Sequence, residues 1–198
     1  EHLTPRSEGG PTENDPSPNS ENARENDAKN QNQTEGQGGS QAKDSASFDQ
    51  LEKEVKEQLA ANPALDQVKD QVQFVRDKEG LRIEVIDKAD FSMFGLGTNR
   101  MQPKAEALIR EVAKSVANMP NKLAIKGHTD SVPFTDGSDR SNWELSIERA
   151  EATRRSMEQG GMQSSRFARI EGVADTAPFN AGDPSDPRNR RISITVLY

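Results

Sequence analysis

The first 45 residues of the 198 contain no aromatic side chain and only one large aliphatic residue, Leu3, so any hydrophobic core has to be built from residues 46–198. The segment is rich in Asn, Glu, Gln, Gly, Ser and Pro. Such a composition buries too little apolar surface to offset the entropy of ordering a chain, and residues 1–46 are expected to be a disordered linker. A flexible segment of that length has a root-mean-square span of roughly 37 Å. It is either a passive tail or a tether that lets a folded part search a wide volume. It also holds nine acids and four bases, so its net charge of 4 − 9 = −5 is most of the −7 of the whole chain. An acidic balance argues against non-specific nucleic-acid binding, which needs basic charge to displace counterions.

From Ser47 onward the apolar residues become periodic. Ser47 and Gln50 have the spacing of a capping box, and Phe48, Leu51, Val55 and Leu59 come after them at helical intervals, which predicts an amphipathic helix over 48–61 ended by Asn62-Pro63. Its stripe packs either on its own domain or on a second copy. Alternation at Val72 and Phe74, a turn at 77–80 and alternation at Leu81, Ile83 and Val85 predict a hairpin with strands near 71–76 and 81–87. A loop from Phe91 to Met101 leads to Pro103. Ala105, Leu108, Ile109, Val112 and Val116 then mark a helix over 103–117. Leu123, Ile125 and Gly127 share one face of a strand over 122–127. Ser141 and Glu144 form another capping box for a helix over 142–158, with Leu145, Ala150, Thr153 and Met157 facing inward and Gly160-Gly161 stopping it. Strands at 167–172 and 191–197 complete the order. Strand, helix, strand, helix, strand, loop, strand indicates a two-layer α/β (α+β) sandwich.

Several chemistries are poorly provided for. There is no cysteine, which removes disulfides, zinc thiolates and cysteine nucleophiles. His128 is the one histidine beyond His2, too few for a transition-metal site or a convincing serine triad, and it is expected to cap a strand end or bond to backbone. Asp136 and Asp139 offer extra carboxylates, but turns favour Asp in any case. Gly95 and Gly97 match neither phosphate-loop fingerprint. No apolar run approaches the ~18–20 residues of a membrane span. The start at Glu1, without a methionine or an apolar leader, fits a processed or trimmed chain, or a cytosolic one.

The stretch 127–150 carries the more pointed signal. Asp130 lies just beyond the strand 122–127 at its carboxyl end, where α/β sheets commonly bind ligands. Asn142 and Arg149 are seven apart on one helix and so share a face. Arg149 can grip a carboxylate bidentately, Asp130 can accept from an ammonium, and Asn142 can do both. Such a set suits a zwitterionic ligand. The plainer alternative is that Asp130 and Arg149 pair with each other. Trp143 either walls the pocket or simply packs, and Met93 and Phe94 are expected in the core or at the rim.

These residues also resemble a family. Thr129-Asp130, a loop Gly at 137, N-x-x-L-S-x-x-R-A over 142–150, G-x-x-x-x-x-P over 172–178 and N-R-R-I over 189–192 occur in the order seen in the OmpA-like peptidoglycan-binding domain. The resemblance covers roughly 81–198. Within that family, E-G-L-R-I-E-V-I-D at 79–87, M-F-x-x-G at 93–97, P-N-K-L-A-I-K-G-H-T-D at 120–130, S-N-W-E-L-S at 141–146 and N-R-R-I-S at 189–193 are similar to the wording of flagellar motor stator anchors. The resemblance implies a β-α-β-α-β-β core with a mixed sheet over 81–198, preceded by a helical and hairpin extension over 47–80. It implies non-catalytic binding of peptidoglycan through the diaminopimelate end of its stem peptide, with no cofactor. Asp130 and Arg149 match the residues that hold that end. Thr129, Asn142 and Leu145 match neighbouring pocket positions, and Arg190, or else Arg191, matches a basic residue nearby. A homodimer, a MotA-like membrane partner reached through a transmembrane segment absent from this chain, and a place in the periplasm as part of an inner-membrane protein are implied as well. Ion conduction is not expected from these residues. The loop F-G-L-G-T-N-R at 94–100 departs from the more usual G-S-A wording. The alternative within the family is a tether of another envelope protein, an outer-membrane lipoprotein or a secretion-system anchor. A peptidoglycan hydrolase is disfavoured by the lack of a nucleophile, metal set or base pair.

Overall fold

The computed structural model describes residues 44–134 and 140–198. The linker expected over 1–46 lies almost wholly outside them, as do Asp136, Gly137 and Asp139.

The first helix, α1, covers 44–61 among the described residues. It therefore contains Ser47 instead of starting from it, and the capping box proposed there is not formed at a helix end. Residues 44–46 are Asp, Ser and Ala, with no Gly or Pro to hold the helix start back to Ser47. The predicted end is correct: the Asn62 side chain accepts from the Ala64 N–H at 3.1 Å and turns the chain into a short 3-10 segment, Pro63–Leu65. Leu65 and Val68, in a stretch whose sequence shows no clear period, are fully buried.

Strands β1 (Val72–Asp77) and β2 (Gly80–Ile86), helix α2 (Pro103–Ala117), strand β3 (Leu123–His128), helix α3 (Asn142–Gln159) and strands β4 (Phe167–Gly172) and β5 (Arg191–Leu197) come next in the chain. Each lies within a residue or so of its expected position. The sheet order is β1-β2-β5-β3-β4, antiparallel throughout except for the parallel pair β3–β4. The last strand thus lies in the middle. Its Ile194 sits opposite Ile83 of β2 on one side and Ile125 of β3 on the other. Those three, with Leu81, Val85, Leu123, Ile192 and Val196, form the apolar face on which the helices pack.

Helix α2 buries the predicted stripe, Ala105, Leu108, Ile109, Val112 and Val116. Phe48, Leu51, Val55 and Leu59 of α1 belong to the same core, and the Phe48 ring lies 5.3 Å from that of Tyr198. The α1 stripe therefore packs on its own domain. At about 1.5–3 kcal/mol for each large apolar side chain withdrawn from water, these contacts make α1 integral to the fold.

Helix α3 starts at the predicted capping box: Ser141 Oγ accepts from the Glu144 N–H, and the Glu144 carboxylate accepts from the Ser141 N–H at 2.8 Å. Two glycines let it lie directly on the sheet. A Cβ at Gly127 would stand 2.1 Å from the Ser146 carbonyl oxygen, and one at Gly172 would stand 2.5 Å from the Ile147 nitrogen. That close seat fixes where Asn142, Leu145 and Arg149 project.

Candidate functional site

Four segments meet at the carboxyl end of β3: the residue after β2, the loop 91–101, residues 128–134, and the first turns of α3, with Arg190 entering just before β5. Between them lies a cavity of about 530 Å³, within the range of small-ligand sites. Asp130, Asn142, Leu145, Arg149 and Arg190 all line it. Five of the six residues singled out by sequence are therefore brought together. The sixth, Thr129, is not: it is buried, its N–H donates to the Ala174 carbonyl at 3.0 Å, and it does not reach the cavity wall.

The plainer of the two sequence alternatives, a pair between Asp130 and Arg149, is not formed. Asp130, 8 % exposed, does not pair with Arg149. Its Oδ2 accepts from Arg190 Nη1 at 2.6 Å, and its Oδ1 accepts from the Val132 N–H at 3.3 Å. Asn142 Nδ2 donates to the Asp130 main-chain carbonyl at 3.1 Å, so this amide orients the acid as well as facing the cavity. Arg149, 4 % exposed, has no ion-pair partner among the described residues. Its Nε donates to the Thr98 carbonyl at 3.0 Å, its Nη2 to the Gly95 carbonyl at 3.5 Å, and its guanidinium lies 5.1 Å from the centre of the Phe94 ring. Burial pulls its pKa down to about 10, against the opposing pull of the Asp87 and Asp130 carboxylates. It stays a cation at neutral pH, held in place by carbonyls that leave its charge uncancelled.

The residue that sequence reasoning missed is Asp87. It comes directly after β2, opposite Arg190, its main-chain N–H donating to the Arg190 carbonyl at 3.0 Å. Its Oδ2 accepts from Arg190 Nε at 3.0 Å, and its Oδ1 accepts from the Met93 N–H at 2.8 Å. Burial raises its pKa above the usual carboxylate value, and the Met93 and Arg190 hydrogen bonds hold it down in part. The available signal was an acid closing the strand wording E-V-I-D. Only the β2–β5 register shows that it faces Arg190.

The strand direction also separates the two arginines. Arg190 enters the cavity, whereas Arg191 turns to the opposite face of the sheet, with Nη2 2.9 Å from the Ala177 carbonyl and Nε 3.4 Å from Glu84. His128 faces that side too. Ser193 Oγ gives its proton to Glu84 at 2.8 Å and lies 3.3 Å from His128 Nε2. The hydroxyl has one proton, so it accepts from an Nε2–H and leaves Nδ1 without a partner among the described residues. His128 thus stands at the strand end, one of its two expected places, and its ring bonds to a side chain and not to backbone.

The rest of the wall is apolar. Phe94 lines the cavity and Met93 lies beneath it in the core. Leu96, in the divergent loop, is 93 % exposed at the lip, across from Val132, Pro133 and Phe134. Trp143 is 56 % exposed and neither packs nor walls the cavity. Among the described residues no group of acids, histidines or cysteines is placed to hold a metal ion, and no helix is long and apolar enough to cross a membrane.

Comparison with known proteins bears on the family and the fold. The model of the OmpA family matches residues 93–191. Motility protein B of Escherichia coli K12 is 36 % identical over 140 residues, which are 70 % of this chain and 46 % of that protein. The chain thus spans a little under half the length of that relative. Among solved structures, a putative MotB-like protein from Desulfovibrio vulgaris superposes with a TM-score of 0.61 at 22 % identity, covering 74 % of this chain and 91 % of that one. The cell wall anchor of the type VI secretion system of Pseudomonas aeruginosa gives 0.55 at 25 % identity, covering 67 % and 91 %.

Proposed function

The chain belongs to the OmpA family, and on that premise we propose that its folded part anchors a flagellar motor stator by binding peptidoglycan without cleaving it. The ligand group is the zwitterionic end of diaminopimelate in the stem peptide. One observation carries the reading: Asp130 and Arg149 stand on one cavity wall with opposite charges that are not spent on each other. A bound amino-acid end would offer its carboxylate to Arg149 and its ammonium to Asp130. The apolar wall of Phe94 and Leu145 would receive the methylene chain between them. The motility reading is preferred over a tether for another envelope system because of the 36 % identity to motility protein B over 70 % of this chain.

The proposal extends to the whole protein. It is a periplasmic part of an inner-membrane protein, joined through the linker of residues 1–46 to an upstream membrane segment and so to a MotA-like partner. Two copies acting together would raise the avidity of individually weak peptide contacts.

The test is co-sedimentation of the purified chain with purified peptidoglycan, competed by free meso-diaminopimelate. The chain should pellet and the amino acid should release it, while Asp130→Asn should stay in the supernatant with its thermal unfolding still cooperative. Pelleting of Asp130→Asn at the level of the unaltered chain would overturn the reading.

A further inference from the structure

We propose that Asp87 sets the preference of this cavity for a zwitterion over a plain carboxylate, acting through Arg190; the inference rests on the reading of the site given under the proposed function. Asp87 is buried and does not line the ligand cavity, so it is a positioning residue and touches no ligand itself.

The reasons are charge count and sharing. The site holds two carboxylates, Asp87 and Asp130, and two guanidiniums, Arg149 and Arg190, so it is balanced before any ligand enters. Arg190 is divided between the acids, with Nε on Asp87 and Nη1 on Asp130. Because half of its hydrogen bonding is committed to Asp87, it does not fully cancel Asp130, which keeps capacity for an incoming ammonium. Without the Asp87 charge the cavity would carry a net positive charge, and all of Arg190 would fall on Asp130. A ligand with a carboxylate alone would then be served as well as, or better than, one with both charges. An opposite charge within hydrogen-bond reach favours the ionised partner by about tenfold or more, which sets the scale of the effect.

The geometry also supplies a selective variant. In Asp87→Asn, the amide oxygen can still accept from the Met93 N–H and so keep the cavity loop anchored. Its NH₂ then faces Arg190 Nε, donor against donor, and the shared arginine is released. Arg190→Gln does the opposite: it leaves two acids and one cation and frees Asp130.

The experiment is calorimetric titration of the chain and its variants with two probes, meso-diaminopimelate and pimelate, the same seven-carbon dicarboxylate lacking both amino groups. The unaltered chain should prefer diaminopimelate. Asp87→Asn should lower the ratio of the two affinities by about tenfold, with pimelate binding kept or improved. Arg190→Gln should raise the ratio, and the double variant should return towards the original preference because its charges balance again. Equal weakening of both probes by Asp87→Asn would show that Asp87 is merely structural and overturn the proposal, as would an unchanged ratio. Should Asp87→Asn fail to fold, a ratio in Arg190→Gln that does not rise overturns it as well. Binding of neither probe by the unaltered chain would refute the zwitterion reading itself, and this inference with it.

Discussion

The buried histidine makes a quantitative prediction about acid stability. His128 is almost fully enclosed at the end of β3. Burial, with added repulsion from Arg191, Lys126 and Arg82, lowers its pKa from an ordinary 6.5 to about 3. The unfolded chain therefore binds this proton between those two values and the folded chain does not. Stability must fall as pH drops from about 6.5 towards 3, with no further contribution from this group below that. Going from pH 7 to pH 4, the linkage relation gives a loss of about 3 kcal/mol from His128 alone. That is a large share of the total stability of an ordinary domain. The assay is urea unfolding at pH 7 and pH 4 for the unaltered chain and for His128→Gln, whose amide can still donate to Ser193 Oγ. Asp87, whose raised pKa acts with the opposite sign, is present in both proteins and cancels in the difference. The variant should lose about 3 kcal/mol less between the two pH values, whatever its stability at pH 7. Equal losses in the two proteins would refute the claim that His128 is held neutral by its surroundings.

Two further substitutions probe how the cavity is supported. Gly127→Ala should cost about 3 kcal/mol, because the new methyl group meets the Ser146 carbonyl, which is backbone and yields little; thermal unfolding reads the cost, and co-sedimentation with peptidoglycan should weaken with it as α3 lifts. Phe48→Ala should cost about 3–5 kcal/mol by emptying a fully buried site beneath Tyr198, and a loss below about 1 kcal/mol in urea unfolding would mean that α1 is not part of the core.

The elements were readable because each carries its own local signal. Alternation placed β2 and β5, a stripe at intervals of three and four placed α2, and the Ser141–Glu144 pair placed the start of α3. The same local logic misled at Ser47, where a capping pattern fell inside a helix that Asp44, Ser45 and Ala46 do not interrupt. Which residues line the cavity was legible as far as motifs went, for Asp130, Asn142, Leu145, Arg149 and Arg190. Pairing within it was not. That Arg190 rather than Arg149 takes Asp130 depends on β3 and β5 lying side by side, and that Asp87 shares Arg190 depends on β2 lying on the other side of β5, contacts between residues 60 and 103 apart in the chain. Thr129 directly follows β3, and that its main-chain N–H is taken by the Ala174 carbonyl, in a segment 45 residues on, has no local signal. Trp143 sits one position from Asn142 on α3, far enough round the helix to face solvent.

The position of β5 has a consequence for how the molecule is made. Residues 191–197 are the last strand of the sheet to leave any ribosome or export channel, yet they form the joint between β2 and β3. Without them the remaining pairings would form only two separate ribbons, β1–β2 and β3–β4, and Arg190 would not be held between the two acids. A chain cut before Arg191 would lack both the central seam of its sheet and the strand that supports its charge-sharing arginine, so the cavity could not be completed in such a copy.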